Sequence, residues 1–330
     1  MRKSLLSIAI FLFFLRVGFA QIGPEAPILG KSVLGLNGIA VLEVASPSEY
    51  SYNPAAVPLA LKIFNEEKYA EIDYGLINFA KGPTVENTWQ YCSFRTSQDS
   101  AMRVARYTIK SNSKPIIYLG PDLLVKFEGE TYEVTYGKMF SEKVGFGVAV
   151  VPYENIKTKL SADNIQLGVG EAKSDLHFRV GGIYLIQSNL SVGVVFTKDK
   201  INASTLLSPL LSGSSEPINL NADYNEKLWT VGVAWQPKQG TGLYSTWQKG
   251  DITGPNLHED IDLKAFGLQQ FLSPKLCIRV GLYDTVPGYQ VTYYGDKWNI
   301  GVSFSNNTYR RSEAFLGSAD TFYIWAGGSF

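Results

Sequence analysis

The chain is poor in the residues that most often carry chemistry. Its 330 residues include two histidines and two cysteines. That count excludes a metal cluster built from His and Cys, and it excludes a dense disulfide framework. There is no surplus of charge either, since 30 Lys plus Arg balance 30 Asp plus Glu. A protein that grips nucleic acid through its phosphates needs a basic excess, so no such partner is expected. Charged residues make up 18% of the chain, against about 25% in an ordinary soluble protein. In their place stand 19 Tyr, 18 Phe, 6 Trp and 31 Gly, residues that favour strands and turns.

Long apolar runs are also missing. Leu5 to Leu15 is apolar over eleven residues, short of the about 20 that a spanning helix needs. Arg2 and Lys3 precede it, and Gly18 and Ala20 stand at the −3 and −1 positions of a cleavage site before Gln21. Residues 1–20 therefore read as a secretory signal peptide. After Ala20 no stretch of 18 apolar residues occurs, which leaves no candidate transmembrane helix. The exported chain is then either a soluble β protein or a membrane β-barrel.

What is present is alternation with period two, from Tyr69 to the end. Trp229, Val231, Val233 and Trp235 alternate with Leu228, Thr230, Gly232 and Ala234. Trp298, Ile300, Val302 and Phe304 alternate with Asn299, Gly301, Ser303 and Ser305. The same rule runs through 144–151, 190–197 and 276–283. A soluble sandwich alternates too. Here the polar face is Gly, Ser, Thr and Ala rather than Lys and Glu, as a crowded barrel interior requires, and aromatics bracket the apolar face as in interfacial girdles.

Connections alternate in length. Short ones at 141–143, 187–189, 237–240, 272–274 and 295–296 separate longer ones at 156–173, 201–223, 251–262, 284–288 and 308–319. Outer-membrane barrels show this asymmetry between periplasmic turns and outside loops. Eleven strands fit between Glu130 and Phe330, and Tyr69–Phe79, Thr88–Thr96 and Met102–Lys110 add three. The sum is 14, an even number. The apolar stretch within 111–129 could hide two more strands, giving 16. Strands in lipid must close to pair their backbone groups, so residues 69–330 are expected to be one closed antiparallel transmembrane β-barrel, an all-β fold. In the 14-strand register Cys92 and Cys277 lie five strands apart, an arc of about 24 Å, beyond the roughly 7 Å reach of a disulfide.

Residues 21–68 do not alternate and suit a compact piece lodged in the barrel mouth. Gly35, Gly38 and Ala40 form a small-residue stretch, followed by Tyr52-Asn53-Pro54-Ala55. These residues resemble the N-terminus of the FadL family of outer-membrane barrels, and the strand rhythm downstream is similar. The resemblance implies a 14-stranded barrel for long-chain fatty acids or aromatic hydrocarbons. It further implies that residues 21–68 form a hatch that must shift for substrate to pass. The chain departs from the family in reading Ser46-Pro47-Ser48-Glu49 where an Asp is usual. Relatives with the same N-terminus include the secretion-associated PorV-like barrels, so a non-transporting binding partner is the alternative function. Phe330 closes a last strand with Phe322, Ile324 and Ala326 at matching parity, a signal of the kind read by barrel-insertion machinery.

By the same parity His177, Arg179, Arg279 and Glu133 should point into the lumen. Glu71 and Asp73 should do so too. Paired charges would order the interior; alternatively, Arg179 or Arg279 would engage a substrate carboxylate. Leu206, Leu207, Leu210 and Leu211 would share one face if the loop 201–223 turned helical, forming an external capture site for a hydrophobic ligand. No nucleophile and base pair stands out, G-x-S-x-G is absent, and no enzyme, cofactor or metal is expected. The expected partners are outer-membrane lipid and a small hydrophobic molecule.

Overall fold

The computed structural model describes residues 52–63, 65–80, 84–112, 114–115, 123–162, 165–212, 215–255, 257–283, 286–308 and 319–330. The signal peptide expected at residues 1–20 and the small residues Gly35, Gly38 and Ala40 lie outside them. A short helix α1 (Val57–Ile63) precedes the wall strands β1 (Lys68–Phe79), β2 (Thr84–Ser97), β3 (Ser100–Ser111), β4 (Leu123–Met139), β5 (Val144–Ala162), β6 (Ile165–Gln187) and β7 (Leu190–Leu207). One helical turn α2 (Pro209–Ser212) leads to β8 (Ile218–Lys238), β9 (Thr241–Gly254), β10 (Leu257–Ser273), β11 (Leu276–Tyr283), β12 (Val286–Tyr294), β13 (Trp298–Thr308) and β14 (Ala319–Ser329).

Each strand pairs antiparallel with the next, and β1 closes onto β14, from Tyr69 opposite Ser329 to Phe79 opposite Ala319. The wall is thus a closed barrel of 14 strands. β3 pairs directly with β4 from Ser100–Lys138 to Lys110–Glu128, which rules out two further strands between them. Lys114–Pro115 adds only a two-residue pairing to the outer end of β4. Closure leaves no unpaired edge, the condition for strands surrounded by hydrocarbon.

The two faces fall as the alternation requires. Trp229, Val231, Val233 and Trp235 on β8, and Trp298, Ile300, Val302 and Phe304 on β13, point outward with 39–57% of their surface exposed. Thr230, Ser303 and Thr135 point inward and are buried. Outward rings cluster where a girdle belongs: Phe196 lies 4.8 Å from Trp229 and 6.2 Å from Phe178, and Tyr132 lies 5.9 Å from Tyr153, centroid to centroid. Cys92 and Cys277 are free thiols on β2 and β11.

One expectation is corrected. Residues 156–162, 165–173, 201–207, 218–223, 251–254 and 257–262 are not loop but continuing strand. β5 to β8 run 19, 23, 18 and 21 residues, where about 9–11 suffice to cross a membrane. The long connections are hairpins that carry one side of the wall far beyond the apolar belt. They looked like loops because their outward faces turn polar there, which ends the apolar half of the alternation without ending the strand.

Candidate functional site

The described part of the N-terminal segment, from Tyr52 on, lies inside the barrel at the end of the short turns. Its residues from Tyr52 to Leu61 are all buried. Asn53 caps a 3-10 turn at Pro54–Ala56: its Oδ1 accepts from the Ala55 amide at 3.0 Å, and its Nδ2 donates to the Gly182 carbonyl at 3.0 Å. The turn rests on a row of glycines contributed by three adjacent strands. Gly137 of β4 is the register partner of Gly147 of β5, which is the partner of Gly181 of β6. A Cβ at Gly137 would lie 2.4 Å from the Pro54 carbonyl oxygen, one at Gly147 would lie 2.4 Å from the Pro54 carbonyl carbon, and one at Gly181 would lie 2.0 Å from Asn53 Oδ1. Bare backbone is what lets the segment approach the wall so closely.

α1 then crosses the interior. Val57 and Leu61 pack among Tyr69, Trp89, Tyr91 and Tyr107 of β1–β3. Leu59 and Ala60 pack on the opposite side with Met139, Ile183, Ala234 and Tyr244. Arg95 donates to the Leu61 carbonyl at 2.9 Å and pairs with Glu67 at 3.2 Å, tying the helix end to β2.

A tier of charge lies further in, toward the long hairpins. Glu133 of β4 accepts from Arg103 of β3 at 2.8 Å and from Thr135 at 2.8 Å, and it pairs with Arg179 of β6. All four side chains are almost wholly buried. The Arg179 guanidinium sits 5.4 Å from the centroid of the Tyr52 ring. Tyr52 also takes a hydrogen bond from Gln248 at 3.3 Å and shares one with Thr230 at 3.3 Å. Each residue of the Tyr-Asn-Pro-Ala tetrapeptide therefore meets the wall. Arg179 and Glu133, named separately from the sequence, are brought together. Arg103, which the sequence reading passed over, completes them; it carries the same inward parity on β3. Arg279 makes other contacts: its Nε donates to Gln269 Oε1 at 2.8 Å, which also accepts from Tyr244 at 3.0 Å.

Two β-bulges distort the wall beside this tier. On β5 the register slips opposite Tyr132–Val134, and Pro152 and Tyr153 both face outward. On β6 it slips at Ser174–Leu176, and Asp175 and Leu176 both face outward. Proline suits a bulge because it has no amide to give the ladder. The first slip turns Glu154 inward, where straight alternation would have placed Tyr153. Glu154 there meets His177 of β6 and Asp199 of β7.

Beyond the bulges the inner face of the extended hairpins is mostly apolar, with Thr158 and Thr205 among it. Ile156, Leu160, Ala172, Ala203 and Leu207 are buried on β5–β7. Leu228, Ile252 and Ile261 form a further cluster on β8–β10 with Tyr224 and Leu263 against it. Outside, Lys173 and the Asn155 amide hydrogen-bond Glu171 and hold its carboxyl below the usual range, linking β5 and β6 past the belt. The expected helical leucine face is not formed. Leu206 and Leu207 are neighbours on strand β7, Leu206 exposed and Leu207 buried, while Leu210 is exposed on the single turn α2, which also contains Leu211. Most of this lining, Ile156, Leu160, Ala172, Ala203, Leu207, Ile252 and Ile261, lies in segments whose sequence reads as loop, while Leu228 stands at the start of a strand pattern.

No protein-family model matches the sequence, and no curated protein is similar to it by sequence. Solved structures are similar in fold. The toluene transporter TbuX of Ralstonia pickettii is 12% identical, with 91% of this chain and 98% of that one covered at a TM-score of 0.64. A FadL homologue of Pseudomonas aeruginosa is 12% identical over the same shares at 0.62. The toluene transporter TodX of Pseudomonas putida is 11% identical, covering 90% and 96%, at 0.57. With its 14-stranded closed wall and residues 52–61 buried inside it, the chain has the fold of the FadL-type channels for hydrophobic compounds.

Proposed function

We propose that the protein is an outer-membrane channel for passive uptake of small hydrophobic molecules of the fatty-acid or aromatic-hydrocarbon type. The observation that carries this reading is the layering of the interior. An apolar lining in the projecting hairpins comes first, then a buried tier of paired charge, then residues 52–61 seated inside the end that carries the short turns. A hydrophobic solute leaving water gains on the order of 25 cal/mol per Å² of apolar surface it buries, so the lining around Leu228, Ile252 and Ile261 is where capture is favoured, with the exposed Leu206 and Leu210 at its rim. The segment, docked through Tyr52, Asn53, Pro54 and Ala55, is the hatch. Passage requires it to leave the glycine row. Arg179 and Arg279 line the path, and a carboxylate ligand would compete there with Glu133 and Gln269.

Uptake of toluene or a fatty acid into liposomes carrying the purified barrel tests this. Entry above that of empty liposomes, changed by deleting residues 21–60 and reduced by Leu228→Lys, is the expected result. Entry no faster than in empty liposomes, and equally so after the deletion, would reject transport and leave the binding-partner reading, which stable co-purifying proteins would favour.

A further inference from the structure

We propose that Glu154, His177 and Asp199 form a lumenal binding site for one divalent transition-metal ion. The three side chains come from β5, β6 and β7 and face the same point of the interior. His177 is the register partner of Asp199 across β6 and β7, and the β5 bulge supplies Glu154. His177 is 5% exposed, and Glu154 and Asp199 are 7% exposed each.

The distances are within ion-pair reach, long for hydrogen bonds and right for shared coordination. His177 Nδ1 lies 3.5 Å from Glu154 Oε2 and 3.6 Å from Asp199 Oδ2. An N–H···O hydrogen bond would bring such atoms to about 2.9 Å. Donors bound at about 2.0–2.2 Å to a tetrahedral ion stand about 3.3–3.6 Å apart. All three donor atoms lie within 4.8 Å of one another. Neither ring nitrogen of His177 has a hydrogen-bond partner among the described residues, and neither does Glu154 Oε2. Nδ1 thus faces two carboxylates at ion-pair distance with no hydrogen bond closing either contact, an arrangement that an ion between the three donors would complete.

Charge and orientation agree. Glu154 and Asp199 with a neutral imidazole make a site of charge −2, which a divalent ion neutralises. The nearest lumenal cation along β6, Arg179, is committed to Glu133. Ser174 Oγ donates to Asp199 Oδ1 at 2.7 Å, fixing the carboxylate with Oδ2 turned to His177; ligating carboxylates are held this way. One nitrogen and two carboxylate oxygens suit zinc and its neighbours rather than calcium or magnesium. Three protein donors leave a coordination position open to water or a ligand in the lumen.

The full-length barrel, purified in detergent and stripped with chelator, is titrated with Zn²⁺ by calorimetry and with Co²⁺ followed by its visible d–d absorption. One equivalent should bind, with Co²⁺ bands indicating low coordination number. His177→Ala and Glu154→Gln should abolish binding, Ser174→Ala should weaken it about 10-fold, and His258→Ala, at the exposed histidine, should leave it unchanged. Heat-dependent gel mobility reports whether each variant is a folded barrel. If His177→Ala does not fold, Glu154→Gln and His177→Gln carry the test. Binding absent from the folded wild type, or retained when Glu154 and His177 are replaced, or lost with His258, overturns the proposal. Because the readout is binding of the ion, the result is independent of whether the barrel transports.

Discussion

Asn53 Oδ1 occupies the space that a side chain on Gly181 would fill: a Cβ built there would lie 2.0 Å away. The same oxygen caps the 3-10 turn, and the Asn53 amide donates to the carbonyl of Gly182. One short side chain therefore fixes the fold of the segment and its seat on the wall at once.

Gly181→Ala should displace the segment while leaving the wall closed. Overpacking of this kind typically costs about 1–3 kcal/mol. Limited proteolysis should cut near residues 52–63 faster in the variant, while the heat-dependent gel shift of the barrel persists. Gly182→Ala is the matched control, since its Cβ would meet nothing nearer than Val194 at 3.5 Å, and it should behave as wild type.

Asn53→Ala removes the cap and the bond to Gly182 together, a loss of about 1–2 kcal/mol in the docking of the segment. Asn53→Asp keeps the cap oxygen but sets a carboxylate oxygen against the Gly182 carbonyl in a buried site, so it should cost at least as much as the alanine. Amide hydrogen exchange at Ala55 and Ala56 reads both; equal protection in all three proteins would contradict this account of the turn.

Glu133→Gln leaves two buried guanidinium groups facing a neutral amide. Breaking a buried pair by removing one partner costs about 3–5 kcal/mol. The midpoint of urea unfolding in lipid vesicles should drop accordingly. Arg95→Gln disturbs a pair whose Glu67 partner is largely exposed, and it should shift the midpoint far less.

On the outer wall, Val302→Arg should destabilise the barrel in lipid by about 2–4 kcal/mol if the belt faces hydrocarbon at mid-depth. Lys297→Arg, at the short-turn end before β13, should be silent. Measured in vesicles, an undiminished stability for Val302→Arg would show that the apolar face does not meet lipid.

Much of this was legible in the chain itself. Trp229 to Trp235 and Trp298 to Phe304 announce strands with a greasy outer face, because side chains on a pleated strand alternate with period two. The rhythm of the turns pointed to 14 strands or 16, and the direct pairing of β3 with β4 decides for 14. Tyr52 to Ala55 stood out as a motif. Less visible was its receptor: Gly137, Gly147 and Gly181 are far apart in sequence and become a row only when β4, β5 and β6 pair in register. The bulges at Pro152 and Asp175 were hidden as well, since a strict alternation cannot anticipate the slip that brings Glu154 to His177.

The sequence by itself determined which strands form and which side of each is apolar, because both depend on neighbours one and two residues away. Tertiary structure alone decided what meets inside. Arg103, Glu133 and Arg179 become one cluster, Glu154, His177 and Asp199 become another, and Asn53 finds its glycines, because ring closure and register set the heights at which distant strands face one another, and no local pattern carries that information.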